Sequence, residues 1–133
     1  MRVNRETGEI VFDLSGKDVT LKVSWKAISE VQSILGYGIV PLAVRIRTMQ
    51  FGITELATVI HQGVLAADPP VKPEYGAVAE RVFSAGLLSP EVTGAVAMFC
   101  ELALTGGKSV DPEEKGGASG SRSAGERTEK SPS

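Results

Sequence analysis

Gly8-Glu-Ile-Val-Phe-Asp-Leu-Ser-Gly-Lys-Asp-Val-Thr-Leu-Lys-Val23, running directly into Ser24 and Trp25, decides the fold class. Ile10, Phe12 and Leu14 alternate with polar or smaller residues, and Val19, Leu21 and Val23 do the same. That period of two is what a half-buried strand requires. A two-residue loop at Gly16-Lys17 would set Leu14 against Val19, Phe12 against Leu21 and Ile10 against Val23, with all three apolar pairs on one face. Gly16 then takes the first central position of a type II′ turn. A hairpin alone is marginal in water, so its apolar face must be covered by the helices that follow.

Those helices are marked by their ends. Ser24 as N-cap and Gly36 just past the last turn bracket a helix over Trp25–Leu35, with Ile28, Val31 and Leu35 on one face and Ala27 and Ile34 beside them. Trp25, at the junction, is read as packing against the sheet edge. Pro41 suits the first turn of a short second helix whose stripe is Leu42, Ile46 and Met49, with Arg45, Arg47 and Gln50 turned away. Thr54 caps a third helix over Glu55–Ala67. It is apolar nearly all round, leaving Glu55, Thr58, His61 and Gln62 for water, so it is central or covered by a partner. Gly63 inside it implies close backbone packing, because glycine there costs about 1 kcal/mol against alanine. Asp68-Pro-Pro-Val-Lys-Pro73 leads into a fourth helix ending near Ala85. Ser89-Pro90-Glu91 opens a fifth that runs to about Leu104, with Val92, Val96, Phe99 and Leu102 or Ala103 inward. The expected architecture is α+β: an N-terminal hairpin followed by about five helices. The domain covers 1–106, and 107–133 is a polar tail with Val110 as its only large apolar residue, expected to be disordered.

Composition narrows the function classes. The 133 residues carry 14 basic and 16 acidic side chains, a net charge of −2, which supplies no electrostatic footprint for nucleic acid or an anionic membrane. Cys100 is the single cysteine, so no internal disulfide forms. The N-terminal residues lack an apolar core of the kind a signal peptide needs, and Val92–Leu104 is too short to span a bilayer. A soluble, intracellular protein is expected.

No residue set carries a reaction. Gly16-Lys17 lacks the earlier glycine of a phosphate loop, where Val11 stands, and the Ser or Thr that should follow, where Asp18 stands. His61 is the only histidine, which excludes a multi-histidine metal site. Cys100, between Phe99 and Glu101, reads as a buried and unreactive thiol. The carboxylates are scattered singly over different elements. Arg2, Lys26, Arg45 and Arg47 could make a small basic patch, without the interleaved aromatics that nucleic-acid binding uses. We therefore expect no enzyme, no cofactor and no metal. The positive signal is apolar surface: Leu42, Ile46, Met49 and Phe51 are the candidate partner-binding residues, for an amphipathic helix or for self-association.

The order of these elements resembles the small tail assembly chaperones of tailed bacteriophages and gene transfer agents. The likeness runs through Gly8-Glu9-Ile10, Leu14-x-Gly16-Lys17, Thr20-Leu21 and Leu35-Gly36. It continues in Pro41-Leu42-Ala43, Ile53-Thr54-Glu55-Leu56-Ala57 and Gly63-Val64-Leu65, and spans roughly Asn4 to Gly106. It departs at Gln32, where an acidic residue is expected, and in the proline-rich Asp68–Pro73 segment. The resemblance implies a non-enzymatic protein that coats the tape measure protein until tail tube subunits polymerise around it. It also implies residence in the host cytoplasm and absence from the mature particle. Two other classes compete: a structural tail or head-completion subunit retained in the virion, and a small DNA-binding domain using the fourth and fifth helices.

Overall fold

In a computed structural model that describes residues 1–106, the hairpin closes one residue earlier than the pattern suggests. Strands β2 (Glu9–Leu14) and β3 (Lys17–Lys22) turn through Ser15 and Gly16, whose φ values of 55° and 88° are both positive. This is a type I′ arrangement, whose twist matches that of the strands it joins. The register is therefore Ile10 on Leu21, Phe12 on Val19 and Leu14 on Lys17, not the three pairs expected from a Gly16-Lys17 loop. The shift is two residues, so each side chain keeps its face and the apolar side stays intact. Val23 no longer faces Ile10; its N–H donates to the Gly8 carbonyl at 2.8 Å.

A third strand, β1 (Arg2–Asn4), extends the hairpin to an antiparallel sheet of order β1-β2-β3. The Asn4 side chain accepts from the Glu6 and Thr7 N–H groups at 3.0 and 3.3 Å, and its carbonyl accepts from Gly8 at 2.8 Å. These bonds fold the chain back onto β2 through an asparagine-led turn.

Among the described residues five helices follow: α1 (Trp25–Leu35), α2 (Ile39–Arg47), α3 (Ile53–Ala66), α4 (Tyr75–Ala85) and α5 (Pro90–Thr105). The α+β reading holds. The polar tail expected over 107–133 lies outside the described residues. Ser24 caps α1 by accepting from Ala27 N–H at 3.1 Å, and Gly36 ends it at φ 83°. Ser89 caps α5 through Val92 N–H, with Pro90 in the first turn.

The sheet lays Ile10, Phe12, Leu14 and Leu21 against α3 and α5, and α3 also packs on α1 and α4. As its composition suggested, α3 is the central helix. At Gly63 a Cβ would stand 3.0 Å from Leu21 Cβ, so the expected close approach is that of α3 onto β3. Two expectations fail. Thr58 is not a solvent residue: it is 1% exposed, because α3 is enclosed on that side as well. Trp25 does not seal the sheet edge but stands 77% exposed. Ser24 sets the phase of α1 so that Ala27 and Val31 face inward, and Trp25 lies about 200° around the helix from Ala27.

Candidate functional site

The second helix begins two residues before Pro41, and its apolar residues fall into two sets. Leu42 and Ile46, 1% and 6% exposed, face the core, and α2 packs against α5. Val40 and Val44, one turn apart, stand on the opposite flank and are exposed. Leu42 and Ile46 thus help hold the monomer together, and the free apolar stripe of α2 is one that periodicity from Pro41 onward misses.

Met49 is not on the helix at all. The helix ends at Arg47, and Thr48 is its C-cap. Met49 N–H donates to the Ile46 carbonyl at 3.3 Å and Gln50 N–H to the Arg45 carbonyl at 2.7 Å. That is the hydrogen-bond pattern of a Schellman motif, whose turning position usually belongs to glycine. Met49 occupies it at φ 61° with its side chain 61% exposed. Phe51 beyond it is half-buried against the core.

Met49 and Ile46 line a groove of about 610 Å³ between the end of α2 and α5. Thr93, Gly94 and Ala97 form the α5 wall, and their small size is what leaves the groove open. Leu104 lines it too and is itself exposed. Of the four candidate partner residues, the groove gathers Ile46 and Met49; Leu42 lies beneath the surface and Phe51 is not among its lining residues.

A polar cluster braces the loop that leads into this region. Arg45 lies 4.6 Å over the Tyr37 ring, and the Tyr37 hydroxyl donates to Glu55 at 3.1 Å. Glu55 also accepts from Gly52 N–H at 2.7 Å, which caps α3 with the carboxylate where Thr54 was expected to do so. Burial works against the Glu55 charge. The hydrogen bonds from the Gly52 and Glu55 N–H groups and from Tyr37, with Arg45 nearby, outweigh it and hold the carboxyl below its usual 4.5. Burial and this carboxylate raise the Tyr37 phenol. Both groups keep their ordinary charge states and act as fasteners, not as acid and base. Gln32, the departure from the family pattern, serves a local structural role. Its side-chain oxygen accepts from Ile39 N–H at 3.1 Å and caps α2, whose N-cap Gly38 has no side chain.

The remaining titratable residues are structural in their surroundings. His61 Nε2 donates to the Pro73 carbonyl at 3.0 Å, and the ring meets Tyr75 edge-on, pinning α3 to the start of α4. Burial pushes the Cys100 thiol up to about 11. Among the described residues no group of three His, Cys, Asp or Glu side chains could hold a metal ion. The four basic residues are drawn to different places: Arg2 pairs with Asp18 at 3.6 Å, Arg45 stacks on Tyr37, Lys26 lines a hollow between α1 and α3, and Arg47 lines the groove. No single helix among the described residues is long and apolar enough to cross a membrane. Comparison with known protein families, with characterised proteins and with solved structures finds no match. The likeness to tail assembly chaperones therefore rests on the motifs alone.

Proposed function

We propose that this chain is a tail assembly chaperone that holds the tape measure protein in solution until the tail tube encloses it. The observation that carries the reading is Met49. An exposed thioether side chain is kept at a left-handed position where glycine would be easier, beside an open apolar groove. Backbone strain retained at a surface apolar residue points to a use for that side chain. Methionine suits a binder of varied apolar sequence, because its unbranched chain adapts to different partners. Val40 and Val44 add a second exposed apolar strip, on the flank of α2 opposite Leu42 and Ile46. Contacts of this kind are individually weak, which lets polymerising tube subunits displace them.

Co-expression with the tape measure protein of the same particle provides the test. The wild-type chain is expected to keep that protein soluble. A Val44→Glu, Met49→Glu double variant should lose this effect while its own stability changes by no more than about 1 kcal/mol, as is usual for surface positions. Persistent insolubility of the tape measure protein at every ratio of the folded wild-type chain would end the reading. Undiminished protection by the double variant would remove Val44 and Met49 from it. Mass spectrometry of purified particles separates a chaperone, which leaves, from a structural subunit, which stays.

A further inference from the structure

Among the described residues strand β3 is paired on one side only. Lys17 faces Leu14 across the two-residue turn, and at the far end Val23 N–H bonds to the Gly8 carbonyl. The alternation of an antiparallel ladder then commits Lys17, Val19, Leu21 and Val23 to β2 and turns the N–H and C=O groups of Asp18, Thr20 and Lys22 outward. Among the described residues no loop or turn backbone takes these groups. An unpaired row of this kind is a template for another strand.

We propose that the free edge of β3 pairs with β3 of a second copy, antiparallel, with Thr20 on the two-fold axis. This goes beyond the chaperone reading and does not depend on it. The argument is charge register. Asp18 and Lys22 lie two residues either side of Thr20, so a Thr20-centred pairing sets each aspartate against the lysine of the other copy. The three positions so paired are those with free backbone groups, and each pair exchanges two hydrogen bonds. Registers centred on Asp18, Val19, Leu21 or Lys22 set like charges together or leave the charges opposite neutral residues. On the core-facing side, the Thr20-centred register puts Val19 opposite Leu21 of the second copy. Within one chain Asp18 faces Asp13, a repulsive cross-strand pair answered only by solvent-exposed Arg2 at 3.6 Å. A lysine from a second copy supplies the missing positive charge. A hollow of about 640 Å³ between Lys17–Thr20, Ile60, Val64 and the Asp68–Pro73 segment adjoins the strand.

Sedimentation equilibrium of the full chain tests the pairing. The wild type is expected to dimerise. Asp18→Lys alone and Lys22→Asp alone each create two like-charge contacts across the axis and should weaken the dimer by about tenfold or more. The double variant Asp18→Lys, Lys22→Asp restores opposite charges and should recover most of the wild-type affinity. Circular dichroism establishes that each variant is folded. A wild type that stays monomeric at every concentration overturns the proposal. So does a dimer indifferent to both single exchanges, or one that the double exchange fails to rescue.

Discussion

At the scale of single residues, two side chains sit where local energetics disfavour them, for different reasons. Met49 holds a left-handed backbone that costs a side-chain-bearing residue about 1 kcal/mol relative to glycine. Met49→Gly should raise the unfolding free energy by about that amount in urea titrations. It should also weaken protection of the tape measure protein, a pairing of gain and loss that a merely structural methionine would not show. Thr58 is buried, and its hydroxyl oxygen has no hydrogen-bond partner among the described residues. An unmade buried hydrogen bond costs about 1–3 kcal/mol, so the near-isosteric Thr58→Val is expected to stabilise the chain, by about 1 kcal/mol. A fall in thermal midpoint for that variant would mean that the hydroxyl is satisfied in solution. Neither residue was legible in its neighbourhood. Met49 lies on the second helix by periodicity and is displaced only by the turn that ends the helix, while Thr58 looks like one of the few polar residues of α3 left for water.

Among the elements, α3 and β3 are coupled through a missing side chain. Alanine is the better helix former by about 1 kcal/mol, yet at position 63 its Cβ would stand 3.0 Å from Leu21 Cβ. Leu21 is fully buried, and its Cβ cannot swing away from its own backbone. Crowding of this kind typically costs about 1–3 kcal/mol, so Gly63→Ala should destabilise despite the propensity gain. Chemical denaturation decides the sign; a more stable variant would show that α3 can lift from the sheet at little cost. Helix ends were readable in advance where a capping side chain or a glycine sits at them, as at Ser24, Gly36 and Ser89. The start of α2 was not, because its cap is Gln32, reaching back from the preceding helix. The stripe of Leu42 and Ile46 was legible as apolar, but α5, distant in sequence, is what covers it and makes it core.

For the molecule as a whole, Cys100 offers a readout of the fold. Its thiol is 1% exposed and raised to about 11, so little thiolate exists at neutral pH and reagent has little access. Modification by a thiol reagent at pH 8 should be slow in the native state and follow global opening, accelerating with denaturant. Fast labelling without denaturant would mean that α5 opens locally at the groove. Strand alternation, helix caps and the all-round apolar character of α3 determined the α+β class, the order of elements from β2 onward and which helix is central; β1 was not among them. These signals are local: each depends on residues within a turn or two of one another, and neighbours in sequence are always present to make them. Three things were decided only by the assembled structure: the hairpin register, the exposure of Trp25 and the division of α2 into a buried and a free flank. Each depends on how one element is set against another: the two-residue slip of the hairpin keeps every side chain on its face, so the pattern cannot detect it, and the packing of α1 and α2 on distant elements decides which of their flanks meets water.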